Sequence, residues 1–422
     1  MPEPRFGFYG DDVTGSVDVL LQFARCGLEG RLFVGTPDAA ALTRAAAEVP
    51  VVGIAGIARS LDTAALEAEV RPALEALAQI APDVLQYKAC STADSSPTVG
   101  SLGRVLELGR DLFGEEVVPL LFAQPDFGRY TVFGHHFAAE AGVVHRLDRQ
   151  PTMSTHPSTP MHESDLARHL SRQTALPIGS LPWTTYGASV ADALRDESAA
   201  AVVLDAMDDA HLALLGEALL DLAADRRPLF AVGSGGLSRA LALASSAEGG
   251  SPHPSAPRST AAGPVLVVSG SRSPKTRRQA DAAAAAGWLV RPFGAPDEEV
   301  GAALEAGRSV VLTSDDAERF AAEPEPLAAI AETAASIVRR AVGAGATRRV
   351  IVCGGDTSGR IVRLLGVESL SIAATPGGNV VVLRAHATDP AVDGLELLLK
   401  GGQVGDDDLF ESMRTLEVAA RA

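Results

Sequence analysis

Lysine is almost absent from this chain. Among 36 lysine and arginine residues only Lys88, Lys275 and Lys400 are lysines, so arginine carries nearly all the positive charge. A compact, mobile ammonium does what a planar guanidinium does not, and each of the three stands in or next to a segment rich in Gly, Ser or Thr. Cysteine is equally scarce. Cys26, Cys90 and Cys353 are widely spaced and odd in number, which excludes a disulfide framework and a cysteine zinc site. Apolar runs of membrane-spanning length are missing, so no membrane span is expected. Positive charge is in deficit: the net charge of −17 argues against nucleic-acid binding, because phosphate neutralisation needs a basic face. The N-terminus Met-Pro-Glu-Pro-Arg has no basic region followed by an apolar core, which predicts no signal peptide and a cytoplasmic location.

What is present is the composition of a globular enzyme. The 422 residues are 46% hydrophobic and 21% charged, enough for two or three domains with ample cores. Strand-like runs at 5–9, 51–57, 84–88, 118–122, 201–204 and 228–232 alternate with helical patterns, one of them capped by Asp62 and another running through Leu212, Leu215 and Leu219. The rhythm pauses at 124–200, a stretch rich in Pro, His and Thr that reads as long functional loops. It stops at 246–263, a Pro/Ser/Gly/Ala linker. It restarts with strands at 264–268, 288–291, 309–313, 349–353 and 380–384, and with a helix from Pro274. The expected fold is α/β: two doubly wound, Rossmann-like domains, 1–245 and 264–422, joined by the linker and separated by a cleft. Apolar segments near 61–80 and 325–345 leave room for a homodimer.

The first motif is Gly7-Phe-Tyr-Gly-Asp-Asp-Val-Thr-Gly15. A strand ends at Gly10 in two adjacent carboxylates, Asp11 and Asp12, and Thr14 is placed to cap the helix that follows. Adjacent carboxylates repel, so a mere turn would use Asn or Gly at less cost; a helix-capping Asp with a solvated neighbour is the plainer alternative. The carboxyl end of a strand in an open α/β sheet is also where ligand groups are presented. Next, Lys88-Ala-Cys-Ser-Thr-Ala-Asp-Ser-Ser96 follows a strand. Lys88 suits a carboxylate, and Ser91, Thr92, Asp94 and Ser95 suit hydroxyls, so the loop matches a small polyhydroxylated acid as well as an ordinary Ser/Thr turn. Arg129, after another strand, is a second anion holder. The histidines His135, His136, His145, His156 and His162 follow no standard zinc spacing.

Three Gly-rich segments occupy the second half. Ser269-Gly270-Ser271-Arg272-Ser273 joins a strand to a helix whose N-terminus can bind an anion. Gly354-Gly355-Asp356-Thr357-Ser358-Gly359 lets a phosphate approach the backbone, with Asp356 available to Mg²⁺. Lys400-Gly401-Gly402 is the third. None is a Walker sequence, so this would be a different phosphate cradle.

Together Asp11-Asp12-Val-Thr-Gly15, Lys88 to Ser96, Gly128-Arg-Tyr130, Gly354 to Gly359 and Lys400 to Gly402 resemble the four-carbon acid sugar kinase family, in order and over nearly the whole chain. The resemblance implies an N-terminal substrate domain, a C-terminal nucleotide domain and ATP-dependent phosphorylation of a sugar acid. The Lys88–Ser95 form looks closer to members acting on a 3-oxo four-carbon acid (3-oxo-tetronate, or the branched 3-oxo-isoapionate) than to threonate or erythronate kinases. Gln403-Val404 and His135-His136 depart from the family pattern.

On that reading the sugar acid lies between the Asp11/Asp12 turn and the Lys88 loop, its carboxylate on Lys88 or Arg129. ATP with Mg²⁺ lies on Ser269–Ser273, Gly354–Gly359 and Lys400–Gly402. Asp12 orients or deprotonates the accepting hydroxyl, with Asp11 second. A dehydrogenase is disfavoured because no G-x-G-x-x-G follows the first strand; Gly233-Ser-Gly-Gly lacks the spacing. A non-catalytic two-domain sugar-acid binding protein would have no use for a phosphate cradle.

Overall fold

The computed structural model describes residues 6–187, 189–245, 263–314, 325–402 and 404–416, without the side chain of Asp356. Most of the 246–263 linker and Gln403 therefore lie outside the described residues. The chain divides into two compact units, residues 1–31 with 35–252, and 253–422 with the short segment Leu32–Val34.

In the first unit the strands lie side by side in the order Val51–Ala55, Phe6–Gly10, Val84–Lys88, Leu229–Gly233, Val118–Leu121, Ala201–Leu204 and Ile178–Leu181. All of these pairs are parallel. Several are buried along their full length, as near-continuous apolar runs must be when helices cover both faces. The helix Thr63–Ala78 is one cover. Asp62 accepts hydrogen bonds from the N–H groups of Ala64 and Ala65 at 3.0 and 2.9 Å, and Leu66, Val70, Leu74 and Leu77 form its buried face.

The first strand, Phe6–Gly10, has its chain successors on opposite sides: Val51–Ala55 on one, Val84–Lys88 on the other. Strand order reverses here, and at such a point the connections leave a crevice beyond the carboxyl ends of the strands. Asp11 and Lys88 stand at that place.

The stretch 124–200 is not all loop. Arg129–Val132, His135–Glu140 and Val143–Arg146 form a three-stranded antiparallel sheet. Its two hairpins close on Phe133–Gly134 and Ala141–Gly142, with φ of 51°, 75°, 49° and 81°. Positive φ at both residues of a two-residue turn matches the twist of paired strands. Phe and Ala are poor residues for the first turn position, so a lone glycine is the turn signal at each hairpin.

The second unit repeats the layout. Parallel strands Leu289–Pro292, Val310–Thr313, Val265–Ser269, Arg349–Cys353 and Glu396–Lys400 are followed by antiparallel Val380–His386 and Ser369–Gly377. Leu32 pairs with Leu370 and Phe33 with Ser369, adding a short strand from the N-terminal part of the chain to this sheet. Val265–Ser269 sits at the reversal of strand order, with Val310–Thr313 on one side and Arg349–Cys353 on the other. A core of Val267, Trp288, Val311, Ile351, Leu398 and Phe410 closes one face.

Candidate active site

Gly10 hands the chain directly to the carboxylates. Asp12 adopts an extended backbone and, rather than Thr14, caps the helix Val13–Ala24, its Oδ1 accepting the Gly15 N–H at 2.8 Å. The plainer alternative was thus half right: Asp12 is a helix cap, but its neighbour is not solvated. Asp11 is buried, 2% exposed.

Arg59 makes this arrangement affordable. It follows the adjacent strand Val51–Ala55 on a short 3-10 turn, Ala58–Ser60. Its Nη2 lies 2.6 Å from Asp11 Oδ1 and 3.0 Å from Asp12 Oδ1; Nε lies 3.2 Å from Asp11 Oδ2 and Nη1 3.1 Å from Asp12 Oδ2. One planar guanidinium bridges two carboxylates, a geometry an ammonium does not reproduce. Burial raises the Asp11 carboxyl above the ordinary range; Arg59 opposes that shift and Asp12 adds to it. Sequence reasoning missed Arg59 because it lies forty-odd residues away with no motif of its own.

Lys88, at the end of the neighbouring strand, is also buried, and its Nζ donates to Ala89 O at 2.8 Å. A Cβ placed on Gly15 would lie 2.3 Å from Asp12 Oδ1, 3.1 Å from Lys88 Nζ and 3.4 Å from Arg59 Nη2. Gly15 is therefore the point where both charges of the site converge, and no side chain fits there. The Thr14 hydroxyl is buried nearby without a partner among the described residues. Behind Lys88, Asp18 accepts from Gln22 Nε2 at 2.9 Å and Gln124 Nε2 at 3.1 Å. Burial raises its carboxyl pKa and the Lys88 charge opposes the rise. Asp18 and Gln124 were not anticipated.

The loop after Lys88 divides its polar groups. The hydroxyl of Thr92 donates to Asp94 Oδ1 at 2.6 Å. Ser95 Oγ donates to Ala93 O at 2.8 Å and lies 3.0 Å from His169 Nε2 and 2.8 Å from Gln173 Nε2. Both hydroxyls hold the loop in shape, while Ser91 and Asp94 stay half-buried at its face. His136 clamps the same loop, with Nε2 2.8 Å from Ser91 O and Nδ1 3.0 Å from Thr131 Oγ1. The Ser91 carbonyl only accepts, so Nε2 carries the hydrogen. Burial pushes His136 down to about 3 and His169 down to about 4, so both rings are neutral. Arg129 Nη1 donates to Phe127 O at 2.9 Å and Ala139 O at 3.0 Å, and its buried Nε has no partner among the described residues. Burial lowers its pKa, opposed by Cys90, Asp94 and Glu140.

In the second unit three loops leave the carboxyl ends of adjacent parallel strands and meet. The Gly270 N–H donates to Cys353 O at 3.0 Å, and the Gly354 N–H donates to Lys400 O at 2.9 Å. Ser273 caps the helix Pro274–Ala285, and its hydroxyl donates to Gly402 O at 2.6 Å. A Cβ on Gly402 would lie 2.8 Å from Ser273 Cβ and 3.0 Å from Ser271 Oγ, so only glycine permits the approach. The hydroxyls of Thr357 and Ser358 both turn back to Gly354 O, at 3.2 and 2.6 Å. They serve the helix start, and the groups left for an anion are the backbone N–H groups at the head of Gly355–Leu364, which no described side chain caps. Gly401 and Gly359 line the same loops, half-buried. Lys400 is fully buried beneath them, its Nζ donating to Thr276 Oγ1 at 3.0 Å. A glycine-walled cradle at a helix N-terminus with a lysine below it suits the phosphates of a nucleotide. Among the described residues no group of three His, Cys, Asp or Glu could hold a metal ion, and the side chain of Asp356, the residue singled out for Mg²⁺, lies outside them. No helix among the described residues is long and apolar enough to cross a membrane.

The two α/β units, one presenting paired carboxylates with a lysine and the other a cradle of glycine-rich loops, correspond to the two domains of a kinase family. Residues 6–241 match the sugar-binding N-terminal domain family and residues 266–410 the nucleotide-binding C-terminal domain family. The chain belongs to the four-carbon acid sugar kinase family. It is 36% identical to the 3-oxo-isoapionate kinase of Paraburkholderia graminis, across 96% of this chain and 93% of that one. It is 31% identical to the 3-oxo-tetronate kinase of Pseudomonas fluorescens (97% and 96%) and 29% identical to the D-threonate kinase of Bordetella bronchiseptica (97% and 96%). Among solved structures, Haemophilus influenzae protein HI1011 shares the fold at a TM-score of 0.75 and 23% identity, covering 96% of this chain and 98% of that one.

Proposed function

We propose that this protein uses ATP to phosphorylate a terminal hydroxyl of a small 3-oxo sugar acid, 3-oxo-isoapionate or 3-oxo-tetronate. The observation that carries the reading is the convergence of Asp11, Asp12, Arg59 and Lys88 around Gly15 at a strand-order reversal. The names of the relatives at 36% and 31% identity support the substrate class.

Lys88 holds the acid's carboxylate, with Arg129 as a second holder through its Nε, which no described residue engages. Ser91 and Asp94 bind its hydroxyls. Asp12, the half-buried member of the carboxylate pair, orients the accepting hydroxyl and takes its proton. Arg59 and the Gly15 N–H hold that carboxylate in one orientation, so little reorganisation is needed at the moment of transfer. ATP supplies the phosphoryl group and its bound Mg²⁺ offsets phosphate charge. The Gly270–Ser273, Gly354–Gly359 and Lys400–Gly402 loops hold the phosphates through backbone N–H groups. The cradle suits that role because it is walled by glycines and floored by a cation.

A second reading, a threonate or erythronate kinase, is favoured by the 29% identical D-threonate kinase. A coupled ADP-release assay with Mg·ATP over a panel of aldonic and 3-oxo-aldonic acids separates the two. Turnover with one 3-oxo acid supports the first; turnover with threonate or erythronate alone moves the assignment to the second. If ATP raises the melting temperature but no acid is turned over, the acceptor is another hydroxy acid. If ATP causes no shift, the kinase reading fails.

A further inference from the structure

Lys400 is 0% exposed, yet Thr276 Oγ1 is its one side-chain hydrogen-bond partner among the described residues, and no carboxylate there pairs with it. An ammonium has three donors, and one left unpaired in the dry interior is costly. The groups that face it are few. Cys353 faces it from the strand Arg349–Cys353, and Lys275 from the helix Pro274–Ala285. Lys275 adds a second positive charge, with Asp407 4.0 Å from its Nζ. Burial pushes the Lys400 ammonium below the ordinary lysine range, Lys275 acts the same way, and Cys353 opposes them. The Cys353 thiol is itself pushed up to about 11 by burial, so it stays protonated and supplies no counter-charge near neutrality.

Above Lys400 the connections run straight to the loops. Thr276 Oγ1 lies 3.2 Å from both Ser271 Oγ and Gly402 O, and Ser273 Oγ reaches the same Gly402 carbonyl at 2.6 Å. The lysine is thus one hydroxyl removed from two of the three loops, and its backbone carbonyl holds the Gly354 N–H of the third. No described group that faces Lys400 carries a negative charge to balance an ammonium there.

We propose that Lys400 is a positioning residue for the nucleotide phosphates, acting through Thr276 from beneath the loops and taking up a proton from solvent as the phosphate charge arrives. This rests on the nucleotide reading of the second domain. The anion lowers the cost of charging a buried amine, and the charged amine in turn fixes the Thr276 hydroxyl and the Gly402 backbone. The two events are linked and reinforce each other.

Calorimetric titration of the full chain with ADP tests it. The titration is run at about pH 8.5, where the ADP phosphates are already ionised, in two buffers of different ionisation enthalpy, which counts the protons exchanged. Wild type takes up a measurable fraction of a proton per ADP. Lys400→Arg, permanently charged, takes up none. Lys400→Met also takes up none, binds ADP about tenfold more weakly or worse, and melts no lower than wild type without nucleotide, because no ion pair is lost with the amine. ADP binding to wild type without proton uptake, or unchanged uptake in Lys400→Met, overturns the proposal and leaves the nucleotide site standing. So does a lowered melting temperature of Lys400→Met with unaltered ADP affinity, the mark of a purely structural lysine. Absence of any ADP binding by wild type overturns the nucleotide reading as well.

Discussion

Arg59 grips Asp11 with two nitrogens, Nη2 2.6 Å from Oδ1 and Nε 3.2 Å from Oδ2. The same guanidinium reaches Asp12, so the two carboxylates are held as one unit. Removing the arginine strands a carboxylate that has almost no access to water. Arg59→Met is expected to destabilise the protein by about 3 kcal/mol or more. Denaturant unfolding reads this, and adding Asp11→Asn should recover much of the loss, since the buried charge is then gone. An Arg59→Met protein as stable as wild type would mean Asp11 is not held ionised by Arg59.

Asp12 separates structure from chemistry. Asn caps helices about as well as Asp, so Asp12→Asn keeps the Gly15 contact and the fold. Turnover should fall about 10²-fold or more, the range of a lost general base, with the melting temperature little changed. A fully active Asp12→Asn would leave Asp11 as the remaining carboxylate for that role.

Acid should loosen the Lys88 loop through its two buried histidines. An unfolded histidine titrates near 6.5, whereas folded His136 and His169 are pushed down to about 3 and about 4. Below the unfolded value the unfolded chain binds protons that the folded protein refuses. Stability is therefore complete above about pH 6.5 and declines as pH falls toward the folded values, by about 1.4 kcal/mol per unit for each ring. Denaturation midpoints at about pH 7 and about pH 5 measure the slope. His136→Gln should flatten it, even if it lowers stability at neutral pH.

The cradle predicts an effect confined to nucleotide. A methyl group at Gly402 would meet Ser273 Cβ at 2.8 Å, and one of the two must move. Gly402→Ala is expected to weaken ADP binding about tenfold or more, on the scale of a misplaced charge-assisted hydrogen bond, while sugar-acid binding is unchanged. Equal losses for both ligands would assign the effect to folding instead.

Much of the frame was legible in the sequence because it is written locally. The strands at 84–88, 201–204 and 349–353 coincide with observed elements, since buried parallel strands need unbroken apolar runs. Asp62 and Pro274 mark helix starts through capping chemistry that involves only near neighbours. Motifs carried by a single turn were visible for the same reason, including Asp11-Asp12, the Lys88 loop and the glycine pairs.

Contacts between distant segments were not legible. Arg59 is one arginine among many until the strand Val51–Ala55 pairs with Phe6–Gly10 and brings it to Asp11. The hydroxyls of Thr92, Ser95, Thr357 and Ser358 looked like ligand donors, yet the folded chain engages them internally. A hydroxyl bonds whichever acceptor lies nearest, and only tertiary structure decides which that is. The sequence by itself determined the alternation of strand and helix, the net charge, and which residue types stand at the strand ends. Tertiary structure decided that Arg59 bridges the carboxylate pair, that three glycine-rich loops meet over Lys400, and that Leu32–Val34 joins the second sheet. The physical reason is range: capping and periodicity act within a few residues, whereas charge pairing and packing are set by which strands become neighbours.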